Sequence, residues 1–218
     1  MSRSNPSLLP ALNRRQSLQL GAASAAAGLL VVKDATRPAQ AKDLPAGPTT
    51  TPFVVPLPVY TAKTPAGLTP DSLSPAPTQA PNLGGGECGR PAHQRESNWP
   101  AQKFYTLNVR EAMHSFHPEL PTQKIWGYDG MLPGPTFVER YGVPIMVRIT
   151  NELPANSVGF GSPEISTHLH NLHDGSESDG FTGDWYSATK YGPTMTAAGA
   201  YKDHHYPNCY AGYDDPRY

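Results

Sequence analysis

The stretch Thr167-His168-Leu169-His170-Asn171-Leu172-His173 carries two histidines separated by one residue, and an acidic run from Asp174 to Gly180 follows it. Successive side chains of a β-strand alternate between faces, so a strand here places His168 and His170 on one face, with their Cα atoms roughly 6.5–7 Å apart. Two imidazoles so placed can converge on one metal ion or on neighbouring ions. Imidazole suits copper, zinc, iron and nickel alike, so the pair predicts a metal site without naming the metal.

The length and composition of the chain favour one all-β domain with an extension. The chain has 218 residues, a formal net charge of -1, 25 prolines and 20 glycines. That length suits one domain of ordinary size. A near-neutral chain without a basic block offers no electrostatic basis for binding nucleic acid. Proline and glycine at this abundance favour strands, turns and extended segments over packed helices.

Residues 1–41 have the pattern of an export signal. Arg14-Arg15 precedes an apolar stretch at residues 20–32, and Ala39-Gln40-Ala41 is a small-residue cleavage site. The apolar stretch is well short of the ~20 residues that a spanning helix needs, so we expect removal and no stable membrane anchor. The paired arginines resemble a bacterial twin-arginine signal, and an ordinary secretory signal is the alternative. Both interpretations predict a periplasmic or extracellular protein.

Residues 42–100 are punctuated by prolines, which fix φ and remove a backbone donor. We therefore expect an extended or irregular segment, with the apolar cluster Phe53–Tyr60 docked on a folded body. Cys88 and Cys209 would meet an oxidising compartment after export, where a disulfide can persist. Their spacing does not establish a bridge, and two unpaired thiols are favoured over a disulfide.

From Lys103 onward the chain predicts short strands separated by turn-rich segments. Thr136–Arg140 and Pro144–Asn151 are expected to pair across a turn at Tyr141–Val143. Short strands at such intervals are typical of a β-sandwich or a small barrel. The other predicted strands are Phe104–Ala112, Lys124–Tyr128, about Glu164 to His170, and a segment around Ala200–Tyr206.

Five motifs in chain order resemble the N-terminal cupredoxin domain of multicopper oxidases, in particular the branch of spore-coat laccases and bilirubin oxidases. The resemblance runs from about residue 101 to the end. It implies a cupredoxin-like Greek-key β-sandwich over residues 101–218, preceded by the Pro-rich extended segment. The matching motifs are Ile125–Thr136, Val147–Pro154, Thr167–His170, Ser178–Gly180 and Tyr206–Asn208.

The resemblance also implies a chemistry for the histidine pair. By its motif position, His168 corresponds to a type 2 copper ligand and His170 to a type 3 copper ligand. Asp179 corresponds to a carboxylate near the type 2 copper that relays protons, although an Asp-Gly pair is often a simple turn. The implied cofactor is copper. The implied partners are dioxygen, which is reduced to water, and a small reducing substrate such as a phenol.

In the family a second His-x-His strand and a His-Cys-His motif in a distant domain complete the copper sites, and this sequence contains neither. We therefore expect an incomplete, C-terminally truncated cupredoxin domain. Two histidines without the remaining ligands would bind copper weakly and lack an entry port for electrons. The 218-residue chain alone is expected to show no oxidase turnover.

Other classes of protein also use a His-x-His pair. Amidohydrolases place it in a (β/α)₈ barrel of about 250 residues, for which too little chain follows His170. Cupins need a glutamate soon after the second histidine, where Asp174 is the wrong residue and Glu177 lies too far along. A non-catalytic extracytoplasmic copper binder remains open, with His173 as a further ligand. The other histidines are not expected to bind metal: adjacent strand residues His204 and His205 face opposite ways, and His93, His114 and His117 are expected to be exposed.

Overall fold

A computed structural model describes residues 46–59, 62–67, 79–155 and 161–209. The predicted export signal at residues 1–41 and the C-terminal residues 210–218 lie outside the described residues. The chain from Thr50 onward forms one unit, and of the preceding unit residues 46–49 are described, without a helix or strand. No helix in the described ranges has both the length and the apolar character needed to cross a bilayer.

The described residues form an all-β structure, which confirms the predicted class. Its strands are β1 (Lys103–His114), β2 (Gln123–Tyr128), β3 (Ile145–Asn151) and β4 (Tyr201–Tyr206), and a 3-10 helix spans Leu83–Gly85. One mixed sheet has the order β2-β1-β3-β4. β1 pairs antiparallel with β2 and parallel with β3, and β3 pairs antiparallel with β4.

One face of the sheet is apolar because the core strands alternate. Tyr105, Leu107 and Val109 from β1 pack with alternate residues of β3 and with Tyr206 of β4. This apolar face borders an open groove of about 580 Å³. Thr167, His168 and Leu169 are among the residues that line the groove, so the His-x-His stretch lies along its edge.

The opposite face of the sheet buries charged side chains. Arg148 of β3 forms a two-pronged ion pair with Asp203 of β4, at 2.8 and 2.7 Å, and both side chains are buried. The guanidinium also lies 3.9 Å from the ring centroid of Tyr201. A buried ion pair needs hydrogen-bond partners for all of its polar atoms, because transfer of each charge from water to the protein interior costs several kcal/mol. This face therefore depends on polar partners supplied by the segments that cover it.

The strand predicted at Thr136–Arg140 and its hairpin with β3 are wrong. Both edges of β3 pair with β1 and β4, and Thr136 makes an isolated bridge with Ala62. The predicted strand at Glu164–His170 is also absent, since Ile165 makes one isolated bridge to Tyr186. Long-range pairing has overridden the local hairpin that the sequence suggested.

The Pro-rich segment docks on the fold at a different place from the one predicted. The side chains of Phe53 and Leu57 are 101% and 88% exposed, so the docking predicted for Phe53–Tyr60 is wrong over residues 53–59. Residues 87–90 are buried instead, and the Cys88 N–H donates to the Tyr201 carbonyl at 2.9 Å. Polar contacts between residues 87–90 and β4 thus anchor the Pro-rich segment, and the apolar residues 53–59 do not.

Candidate metal centre

The two histidines of the His-x-His stretch lie on an extended segment without a strand. Their side chains are exposed while those of Thr167 and Leu169 are partly buried, so the alternation expected of a strand is retained. Leu169 packs against the apolar core and anchors the segment. The ring centroids of His168 and His170 are 5.8 Å apart. The predicted placement on one side is therefore present.

The ring of His168 is oriented by Asp179. Its Nδ1–H donates to the Asp179 carbonyl oxygen at 2.6 Å, and Asp179 Oδ1 lies 3.1 Å from the same nitrogen. A carbonyl can only accept, so this contact assigns the proton of the neutral ring to Nδ1 and leaves the lone pair on Nε2. Metal-binding histidines commonly have a second nitrogen held by a carbonyl or carboxylate in this way. The donor chemistry of His168 fits a copper ion.

The acidic residues that follow the pair differ in environment. Burial raises the pKa of Asp174 to about 7, and the negative charges of Asp179 and Glu177 add to this rise. Burial also raises the pKa of Glu177, but the His93 ring and the Gln94 N–H more than offset it, so this pKa lies below its usual value. Glu177 is 1% exposed and turned toward Gln94 and away from solvent. The pKa of Asp174 is thus raised, whereas the pKa of nearby Glu177 is lowered.

The described residues include no group of three or more His, Cys, Asp or Glu side chains arranged to hold a metal ion. His173 is exposed on the turn beyond His170 and its backbone bridges to Cys209. His168 and His170 present two exposed imidazoles on one side of the segment.

Both cysteines are buried thiols with no disulfide, as the favoured prediction had it. Cys88 packs with Tyr186 and Met195 in a small apolar cluster. Burial raises the pKa of its thiol to about 12. A protonated, buried thiol is a poor metal ligand and a poor nucleophile, so Cys88 is a packing residue.

Sequence reasoning missed the residues that hold the acidic run in place. His93, predicted to be exposed, is fully buried, and its Nδ1 lies 3.9 Å from Glu177 Oε1. Gln94 and Glu177 are joined by a hydrogen bond of 3.0 Å although 83 positions separate them. No local pattern marks such a pair. The one available signal was Glu177 itself, an acidic residue flanked by small residues next to the histidine motif.

Comparison with known proteins matches this region to one family. Residues 108–202 match the family model described as multicopper oxidase. A laccase of Bacillus subtilis (strain 168) is 30% identical over 122 residues, covering 48% of this chain and 23% of the relative. A bilirubin oxidase of Albifimbria verrucaria is 32% identical over 105 residues, covering 48% of this chain and 15% of the relative.

A third relative covers more of this chain. A laccase of Haloferax volcanii is 29% identical over 196 residues, which is 80% of this chain and 28% of the relative. The chain thus spans less than a third of the length of these relatives. The matched family segment includes His168, His170 and Asp179, whereas His93 and Gln94 lie before it.

Proposed function

We propose that this chain, which matches multicopper oxidases over residues 108–202, supplies the first His-x-His ligands of a copper cluster in a laccase-like oxidase. Copper is the cofactor that this family implies. Bound copper supplies one-electron chemistry that couples the oxidation of a phenolic or other small reducing substrate to the reduction of dioxygen to water. His168 is assigned to the type 2 copper and His170 to the type 3 copper.

The single observation that carries this proposal is the geometry of the pair. Two exposed imidazoles lie with centroids 5.8 Å apart, and Asp179 holds the Nδ1 of one of them. This arrangement leaves His168 Nε2 available as a donor without a change of tautomer. Because His170 lies on the same side, both rings can bind ions in one cluster.

Asp179 is proposed to have a second role in proton transfer. Its side chain is partly exposed and its Oδ1 lies 3.1 Å from His168 Nδ1. A carboxylate so placed can hold a proton at an oxygen atom and pass it to a bound water molecule. Its carbonyl meanwhile keeps the His168 ring in place. We propose Asp179 as the proton relay of the site.

The domain boundaries are part of the same proposal. We assign residues 1–41 to an export signal, 42–100 to a Pro-rich extended segment and 101–218 to the first cupredoxin-like domain. The matched range 108–202 falls within the last of these. The mature protein is proposed to act in the periplasm or outside the cell, where copper enzymes of this family are typically found.

The experiment that tests the proposal is copper titration of the 218-residue protein and of His168→Ala and His170→Ala. Each substitution removes a proposed ligand, so we expect copper affinity to fall by at least about tenfold. His114→Ala, in β1 beside Phe116, is the matched control and should leave affinity unchanged. Wild-type affinity in both site variants would refute the assignment.

Stoichiometry separates the alternative function in the same titration. A non-catalytic copper binder predicts one tightly bound copper per chain and no oxygen consumption with a phenolic substrate. A cluster contribution predicts weak binding by this chain alone, which needs further ligands. Tight one-to-one binding that is lost in His173→Ala would favour the non-catalytic binder.

A further inference from the structure

The acidic run Asp174–Gly180, here called the acidic loop, is closed by its own side chains. Its turn is held by the Ser178 N–H, which donates to the Gly175 carbonyl at 2.8 Å. The Glu177 carboxylate folds back over Gly175, where a Cβ atom would overlap both of its oxygens. Gly175 is buried beneath the carboxylate. The loop therefore has one compact conformation in which Glu177 points inward.

Glu177 connects the acidic loop to the Pro-rich segment. Its Oε1 accepts the backbone N–H of Gln94 at 3.0 Å and faces His93 Nδ1 at 3.9 Å. The Gln94 side chain adds a 3.3 Å hydrogen bond to the Ser176 hydroxyl. His93 is 0% exposed and Glu177 is 1% exposed, so water does not compete for these contacts. Hydrogen bonds to a charged group are stronger than those between neutral groups.

Ser178 connects the same loop to the edge strand β4. Its hydroxyl oxygen accepts the His205 N–H at 2.9 Å, and its carbonyl lies 3.1 Å from His204 Nδ1. Both histidines are fully buried. The loop is thus fixed on two sides by residues that lie far from it in the chain, and Glu177 provides the side that faces the Pro-rich segment.

The C-terminal end of the acidic loop contacts the proposed ligand His168. Asp179, next to Ser178, accepts the His168 Nδ1–H through its carbonyl oxygen. Gly180 has φ 76° and packs so closely that a Cβ atom there would overlap the Thr167 carbonyl and His168 Cα. Any displacement of the loop therefore moves the acceptor that orients the His168 ring. The contacts run without a gap from Gln94 to His168.

We propose that Glu177 is a positioning residue for His168: by tying the acidic loop to His93 and Gln94, it keeps the Asp179 carbonyl where it holds the ring in the Nδ1–H tautomer. The role in copper binding rests on the proposed function, whereas the tautomer does not. Partners one step removed from a metal ligand typically change metal affinity about 10–100-fold when they are lost. Glu177 would act through Asp179 and does not contact the ion.

The first measurement reads the tautomer in metal-free protein, by long-range ¹H–¹⁵N correlation at the His168 ring. Wild type should show the Nδ1–H form. Glu177→Ala removes the acceptor of the Gln94 N–H, and we expect a mixture of tautomers at His168 together with a copper affinity about tenfold weaker. Glu177→Gln keeps an oxygen at the same reach and should restore both properties to near wild type.

The matched control is Glu164→Ala, which removes a carboxylate four positions before His168 that pairs with exposed Lys190 at 3.1 Å. Its His168 tautomer and copper affinity should match wild type. If Glu177→Ala does not fold, Glu177→Asp replaces it, because the shorter side chain withdraws the carboxylate from Gln94. A wild-type tautomer in the folded Ala or Asp variant overturns the inference.

The two proposals fail in different ways. If His168→Ala leaves copper affinity unchanged while Glu177→Ala changes the tautomer, the copper assignment is wrong and the positioning role stands. If His168→Ala abolishes binding while Glu177→Ala changes neither tautomer nor affinity, the copper assignment stands and the positioning role is wrong.

Discussion

At the scale of single residues, the fold buries three histidines in neutral form. His93, His204 and His205 are each 0% exposed. Burial lowers the pKa of His93 to about 4 and also lowers the pKa values of His204 and His205, because a charged ring loses its hydration. An exposed histidine in the unfolded chain keeps its ordinary pKa of about 6.5. At these three histidines the folded state therefore binds fewer protons than the unfolded state below neutral pH.

The resulting prediction concerns stability on acidification. The contribution of His93 is fully present above pH 6.5 and is lost as the pH falls toward about 4, the window between its two pKa values. Protonation of one such histidine lowers the free energy of unfolding by up to about 1.4 kcal/mol for each pH unit in that window. His93→Phe should therefore lose stability less steeply than wild type between pH 6.5 and 4, as measured by urea unfolding.

Asp174 provides an opposite comparison. Its pKa is raised to about 7 in the folded protein, so acidification through that pH favours the folded state. Asp174→Asn removes this gain and should make the acid loss steeper than in wild type. A slope in His93→Phe equal to that of wild type would contradict the assignment of the acid sensitivity to His93.

At the scale of elements, β4 is an edge strand whose outer edge is closed by polar groups. Its Asp203 N–H donates to Glu87 Oε1 at 3.0 Å and its His205 N–H donates to the Ser178 hydroxyl at 2.9 Å. All six residues of β4 are buried. Unpaired backbone groups on an edge otherwise invite pairing with another chain. The Pro-rich segment and the acidic loop thus complete the sheet without adding a strand.

Glu87→Ala tests this edge. The substitution removes the acceptor of the Asp203 N–H and leaves buried Arg90 without the carboxylate that it meets at 2.5 Å. Breaking a buried pair by removing one partner costs about 3–5 kcal/mol. We expect a loss of that size in urea unfolding at neutral pH, against a change below about 0.5 kcal/mol for Glu152→Gln, whose residue is exposed. A loss under about 1 kcal/mol would show that Glu87 does not stabilise the edge.

At the scale of the whole molecule, apolar surface is exposed at the groove beside the sheet and on residues 53–59. The groove of about 580 Å³ opens on the apolar face of the sheet. Phe53, Leu57 and Val59 are 101%, 88% and 95% exposed on a segment whose beginning is tied down by two hydrogen bonds from Thr51 to Glu119. Contiguous exposed apolar surface promotes association in solution.

The prediction for this surface separates solubility from stability. Phe53→Ser and Leu57→Ser remove exposed side chains without core contacts, so the free energy of unfolding should change by less than about 0.5 kcal/mol. Self-association, measured by sedimentation velocity at rising concentration, should decrease because less apolar surface meets water. Reduced stability with unchanged association would show that the segment packs on the fold.

Local pattern predicted much of the sheet. The predicted bounds of β1, β2, β3 and β4 agree with the structure to within a few residues. Each of these strands has an alternating pattern or a short apolar run, and both patterns can be recognised from neighbouring residues alone. The strand prediction for Thr136–Arg140 is wrong although its composition suits a strand, because both edges of β3 are paired, with β1 and β4. The prediction that His93 is exposed is wrong because its burial depends on contacts with Glu177 and His205, which are distant in the chain.

The sequence by itself determined the all-β class, the family motifs and the alternation that places His168 and His170 on one side, because each depends on neighbours within a few positions. Tertiary structure alone decided which segment covers β4, which histidines are buried and what orients His168. Those features depend on pairs such as Glu87 with Asp203, 116 positions apart, and Gln94 with Glu177, 83 apart. Such pairs form when the folded chain excludes water from both partners, and no local pattern encodes that event.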